Sequence, residues 1–215
     1  METNIDQYSS KPKHSGTGAF SDNPIIERLS RTHIAVPLTI LMSIAVGLLY
    51  YAMQHTDIQL AYIPFLFMSG VLFFTFLEYV LHRYLFHLKT DTEQKKVFQH
   101  KIHGLHHEFP KDKTRLAMPP ILSIALTVSF FYLFYALIDT KVFAFLPGIM
   151  AGYCLYISVH YIIHIYPPPK NFFKELWINH AIHHYKDGNM AFGVSSPLWD
   201  YVFGTMPSKR PSAKN

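Results

Sequence analysis

The chain has a single cysteine, Cys154, among its 215 residues. One thiol excludes an intrachain disulfide and a cysteine-based zinc site. Its place inside an apolar run reads as a small buried side chain. Charge is missing over long stretches: residues 32–53, 58–77, 118–138 and 142–166 contain no Asp, Glu, Lys or Arg. Several motifs are missing too. There is no H-E-x-x-H, which argues against a zinc metalloprotease, and neither a P-loop nor a G-x-S-x-G occurs. No Glu-x-x-His pair occurs either, which argues against a ferritin-like di-iron bundle. The first 31 residues are too polar for a cleavable signal peptide.

Each uncharged stretch is long enough, at about 20 helical residues, to cross a hydrocarbon layer of about 30 Å. The expectation is an all-α integral membrane protein. Four transmembrane helices form two hairpins, residues 32–82 and about 118–166, with a polar cytoplasmic segment between them and a further cytoplasmic piece after the second. Pro119-Pro120 suits a helix start, and Pro167-Pro168-Pro169 ends the fourth span. Residues 1–31 read as a flexible cytoplasmic tail with a short amphipathic helix from about Pro24, residues 32–205 as the membrane domain, and 206–215 as a C-terminal tail.

The net charge is +5, but its distribution speaks of topology rather than nucleic acid. Four Lys/Arg precede the first span, eight lie between Arg83 and Arg115, six follow the fourth span, and only Lys141 falls elsewhere. By the positive-inside rule both termini and the long middle segment are cytoplasmic, in a bacterial inner membrane or an endoplasmic reticulum. The basic residues then face anionic headgroups.

What the chain does have is histidine, 14 in all, and twice in the pattern H-x-x-H-H. This composition gives roughly 0.06 copies of that pattern by chance, so two copies demand a reason. Ten histidines form four groups: His82 and His87; His103, His106 and His107; His160 and His164; His180, His183 and His184. Residues three and four apart share a helical face, so three of the groups present their imidazoles together. His82 and His87, five apart, converge only if the helix changes its winding between them or if they serve different metals. Imidazole suits iron, zinc, copper and nickel, and ten imidazoles are enough for two ions with open positions. His100, three before His103, is a surface residue, a further ligand or a supporting group behind His103. His14 and His55 read as solvent or turn residues, and His33 as an interfacial one.

Glu78 lies one turn before His82 near the end of a span. A carboxylate at such depth costs up to ~3 kcal/mol on insertion scales and marks function or pairing. It either orients a ligating imidazole or pairs with Arg83 or a nearby lysine. The aromatics of the spans, among them Phe73, Phe74, Phe130 and Phe134, either pack against one another or line a groove for a lipid tail. Trp199, Tyr201 and Phe203 either pack in the cap or enter the interface.

The text "EYVLHRYLFH" (78–87), "HGLHHEFPKDKTRLAMPP" (103–120), "HYIIH" (160–164) and "HHYKDGNMAFGVSSPLWDYVFGT" (183–205) resembles the membrane fatty acid hydroxylase/sterol desaturase superfamily. The phrases "DKTRLAMPP" and "FGVSSPLWDYVFGT" make it most similar to the fatty acid 2-hydroxylases. The resemblance implies four membrane helices beneath a cytoplasmic cap, with two iron ions between cap and membrane held by the ten histidines. It further implies O₂-dependent hydroxylation at C2 of a fatty acyl chain, free or in a ceramide-type lipid. Two departures stand out. Many relatives carry Tyr-Asp before H-x-x-x-H where this chain has Tyr156-Ile157, so only a role for Tyr156 carries over. Eukaryotic relatives often carry a cytochrome b5 domain that the first 31 residues cannot hold. Electrons are therefore expected from a separate reductase, cytochrome b5 or ferredoxin.

The nearest rival is hydroxylation or desaturation of a sterol or carotenoid. A metal transporter is disfavoured, because transporters place their ligands near the midplane. A structural zinc protein could use the same imidazoles but, being redox-silent, could not oxidise a lipid.

Overall fold

The computed structural model describes residues 12, 13 and 15–207. The expected tails, residues 1–11 and 14 at one end and 208–215 at the other, fall outside them. Among the described residues every regular element is helical. Chain contacts divide the molecule into two units. The first takes residues 79–112 and 162 onward with the segment before residue 19; the second takes residues 19–78 and 113–161.

In the second unit, α1 (Pro24–Ser30) starts on Asn23, whose side chain accepts hydrogen bonds from the Ile25 and Ile26 N–H groups, with Pro24 as first residue. Its apolar face, Ile25, Ile26 and Leu29, is exposed. Its Glu27 carboxylate lies 2.7 Å from Arg31 and 2.5 Å from Arg115. The arginine of "DKTRLAMPP" thus ties the start of the third apolar stretch to the helix before the first.

Three stretches are long and apolar enough to cross a membrane: Ala35–His55, Tyr62–Phe86 and Pro120–Ile165. The first is α2 (Ala35–His55), and the second is α3 (Tyr62–Val80) with a continuation described below. The third comprises α6 (Pro120–Ile138) and α7 (Val142–Ile165), joined by a 3-10 turn at Asp139–Lys141. Asp139 has a φ of 51°, which stops α6. The two helices then lie side by side and antiparallel: Phe131 contacts Phe143, Phe134 contacts Phe145, and the Met118 N–H donates to the Tyr153 hydroxyl at 3.1 Å.

Leu41, Ala45, Phe74, Leu146, Ile149, Met150 and Cys154 form the core of this unit. Phe65, Leu72, Ile121, Tyr132 and Leu137 point outward. A helix apolar on all sides suits hydrocarbon, not water. Where α3 crosses α7, a Cβ on Gly70 would strike the Phe145 carbonyl oxygen, and one on Gly148 would strike that of Phe67. Two glycines facing one another let the backbones touch, as small residues do between membrane helices.

Candidate metal centre

The first unit is built around histidines. Past Val80 the helix of α3 continues as a π-helix, π1 (Leu81–Phe86), and the His87 N–H donates to the His82 carbonyl at 3.2 Å. A π turn closes between residues five apart, so it stacks the pair that an α-helix would have splayed. The two rings lie 5.2 Å apart between centroids. A second π-helix, π2 (His100–Gly104), follows α4 (Glu93–Gln99) and leads into α5 (Leu105–Glu108). Together π2 and α5 carry His103, His106 and His107, while α8 (Lys174–Tyr185) carries His180, His183 and His184. A π turn inside a helix frequently marks a functional site.

The ten histidines gather into two sets of five. His82, His87, His103, His107 and His183 form one; His106, His160, His164, His180 and His184 form the other. Within each set one nitrogen from every ring lies within 4.8 Å of the others. Each H-x-x-H-H is divided by the same rule: its first and last histidines, four apart, enter one set, and the middle one enters the other. His103 and His107 go with His183; His180 and His184 go with His106. His160 stands one turn before His164 on α7. His100 belongs to neither set.

The chemistry of these nitrogens fits an ion. The His82 Nδ1 donates to the Phe192 carbonyl at 2.6 Å, and the His183 Nδ1 donates to the Met190 carbonyl at 2.8 Å. A carbonyl only accepts, so both rings carry their proton on Nδ1 and turn a bare Nε2 inward. His82 Nε2 lies 3.1 Å from His103 Nε2, which lies 2.9 Å from His107 Nε2; His87 Nε2 lies 3.0 Å from His183 Nε2. A neutral His103 has one proton at most and cannot bond both neighbours through it. Five nitrogens converging in this way are satisfied together by a cation. In the second set His106 Nε2 is 3.2 Å from His184 Nε2, and His164 Nε2 is 2.8 Å from His180 Nε2.

The rings are held neutral, as ligands must be. Burial lowers His87 to about 3 and His183 to about 4. It pushes His103 and His184 well below the ordinary histidine value, reinforced by neighbouring imidazoles.

The two other residues singled out lie in the second unit. Tyr156 on α7 stacks on His160, with centroids 5.5 Å apart and planes at 12°. Glu78 on α3 is buried and within electrostatic reach of Tyr156. Packing within the first unit accounts for part of the aromatic tail: Phe203 stacks on Tyr79 at 5.2 Å, while Tyr201 is exposed. Sequence reasoning missed the stretch from Met190 to Gly193, whose Met190 and Phe192 carbonyls accept from the first set. Backbone groups leave no composition signal, although the phrase "NMAFGV" is part of the resemblance.

Comparison with known proteins agrees with this arrangement. The family model "Fatty acid hydroxylase" matches residues 67–205. The dihydroceramide fatty acyl 2-hydroxylase FAH2 of Arabidopsis thaliana is 39% identical over 146 residues, covering 67% of this chain and 62% of the plant protein. The fatty acid 2-hydroxylase of Mus musculus is 38% identical, covering 66% of this chain and 39% of the mouse protein. The ceramide very long chain fatty acid hydroxylase SCS7 of Saccharomyces cerevisiae is 34% identical, covering 94% of this chain and 53% of the yeast protein. The chain therefore spans between about two fifths and three fifths of these relatives. A solved structure of full-length scs7p, in which only the hydroxylase domain is visible, superposes with a TM-score of 0.81 at 34% identity, covering 92% of this chain and 75% of that one. A family match over more than half the chain, on the stretch that carries all ten histidines, places this protein in the fatty acid hydroxylase family.

Proposed function

We propose that this chain is an O₂-dependent lipid hydroxylase holding two iron ions, one in each set of five histidines, and that it adds a hydroxyl at C2 of a fatty acyl chain. The observation that carries the proposal is the pair of largely buried all-imidazole sets in a chain whose relatives are named as a fatty acid 2-hydroxylase, a dihydroceramide fatty acyl 2-hydroxylase and a ceramide very long chain fatty acid hydroxylase. Free acid or ceramide-type lipid is the substrate class, and two electrons come from a separate donor such as a cytochrome b5 or ferredoxin system. When bound, the ions supply O₂ activation and the oxidising power that amino-acid side chains lack.

The chain's own residues hold and orient. The Phe192 and Met190 carbonyls keep His82 and His183 protonated on Nδ1, with Nε2 free to ligate. Burial keeps the ligands neutral. Tyr156, stacked on His160, fixes that ring. The five imidazoles of each set would hold one ion.

In this reading α6 and α7 cross the membrane separately, giving four spans. Both termini and the histidine sets face the cytoplasm. The clustering of Lys/Arg outside the short turns supports that orientation. The membrane itself supplies the acyl chains.

Lipid mass spectrometry on cells expressing the chain tests the activity, beside a His106→Ala/His183→Ala control that strikes both sets. The expected product carries one added oxygen at C2, labelled from ¹⁸O₂ and absent in the control. An added oxygen at another carbon, or on a sterol or carotenoid, would retain the oxygenase and replace the substrate. Tightly bound zinc with no oxidised lipid, even after reductase and acyl substrates are supplied, would replace the enzyme by a structural zinc protein.

A further inference from the structure

Met190 to Gly193 form a strap with two working edges. On one edge the Met190 carbonyl accepts from His183 Nδ1 and the Phe192 carbonyl accepts from His82 Nδ1, at 2.8 and 2.6 Å. On the other, three consecutive N–H groups are all taken. Ala191 donates to the Thr205 carbonyl at 2.9 Å, Phe192 to Asp200 Oδ1 at 2.8 Å, and Gly193 to Asp200 Oδ2 at 2.7 Å. One carboxylate therefore grips the strap that aims two histidines of the first set.

That carboxylate is built in. Asp200, on α9 (Leu198–Val202), is 1% exposed and also accepts from the Thr205 hydroxyl at 2.7 Å. The Thr205 N–H returns to the Asp200 carbonyl at 2.8 Å. With its own proton spent on Asp200, Thr205 Oγ1 accepts from Tyr79 Oη at 3.0 Å. Tyr79 in turn accepts from Arg83 Nη1 at 2.7 Å. Every donor in this row points toward Asp200, so a guanidinium at one end balances a buried carboxylate at the other.

The strap pays a conformational cost to be where it is. Ala191 sits at φ 56°, a left-handed region that alanine rarely enters unless its surroundings compel it. Gly193 admits no side chain: a Cβ would strike the Ser196 carbonyl oxygen and lie 2.8 Å from Asp200 Oδ2.

We propose that Asp200, seconded by Thr205, is a positioning residue for the metal set of His82 and His183. It fixes the strap, and the strap fixes both imidazoles in the tautomer that turns Nε2 to the ion. The network meets the histidines at the Nδ1 atoms of His82 and His183, both in the first set, so the effect is read on the step that belongs to that set. The proposal rests on the reading of the histidine sets as metal sites.

The test is metal binding by the full chain in detergent, stripped with chelator and titrated with Co²⁺, following calorimetric steps and visible absorption. The wild type takes two ions, and His82→Ala identifies the step that belongs to the first set. Asp200→Asn keeps the size of the side chain but replaces one acceptor oxygen by an NH₂ among three donors. It weakens the His82 step by about 10–100-fold, the range for lost outer partners of a metal ligand, and leaves the other step unchanged. Thr205→Val does the same to a lesser degree, and Thr205→Ser, which keeps the hydroxyl, restores the wild-type step. Metal-free unfolding midpoints are recorded for each variant.

Two unchanged steps in Asp200→Asn and Thr205→Val would overturn the positioning role. So would equal weakening of both steps, or a loss in Thr205→Val that Thr205→Ser fails to restore. A wild type that binds no ion would overturn the metal reading beneath it.

Discussion

At the scale of single residues, the division of each H-x-x-H-H between two sets makes a counterintuitive prediction for neighbours in sequence. His106 and His107 are adjacent, yet they belong to different sets. Substituting His107→Ala weakens one metal-binding step and His106→Ala the other, each by well over tenfold, since every ligand lost removes a bond to the ion. Metal titration of the two single variants checks this; weakening of the same step in both would break the partition. Histidine identity was legible from sequence because repetition made chance untenable. The partition was not. The motif offers both an i,i+3 and an i,i+4 pair on one helical face, and periodicity alone cannot choose between them. Glu78 is another residue for which sequence raised a choice, and the structure buries it.

Helices show a different limit. The apolar stretches were readable because hydrocarbon demands about 20 uncharged residues in a row. Their expected bounds lie within a few residues of the helices, and those at Ile138 and Val142 coincide with them. For the two π-helices the sequence spoke once: the five-residue spacing of His82 and His87 raised a change of winding within "LHRYLF", while "HKIHG" gave no such signal. Tertiary demand for His82 and His87 on one side overrides the tighter α winding there. The close crossing of α3 and α7 is a second feature that only the structure reveals, although each glycine was plain in the sequence. Gly148→Ala forces a methyl group into the Phe67 carbonyl and Gly70→Ala into that of Phe145. Overpacking of this kind costs about 1–3 kcal/mol. A lower unfolding midpoint in detergent is expected for both variants, with Gly47→Ala as a control, because a Cβ at Gly47 meets nothing within 4 Å. Equal midpoints for all three would show that the helices separate easily at this crossing.

For the whole molecule, two clusters of buried neutral imidazoles impose a pH dependence whose direction follows from linkage. In the metal-free protein burial lowers His87 to about 3 and His183 to about 4, against an ordinary value of 6.5. His103 and His184 are displaced the same way. Above pH 6.5 these rings are neutral in both folded and unfolded chains, and pH has no leverage through them. Below it the unfolded chain binds protons that the folded chain refuses, so stability falls as pH falls. The loss approaches about 1.4 kcal/mol per pH unit for each such ring and ends only near the folded values. Between pH 6.5 and 5 acidic side chains are still ionised, so histidines dominate the slope. The metal-free chain in detergent is therefore expected to melt at a nearly constant temperature from pH 8 to 7 and at steadily lower temperatures from 6.5 to 5. Saturating metal occupies the same nitrogens and competes with the same protons, which moves the onset of the fall to lower pH. Melting curves across this range, with and without metal, separate the two effects. A metal-free melting temperature that holds level down to pH 5 would mean that the rings are not kept neutral by the fold, and the donor geometry would then lack its electrostatic basis.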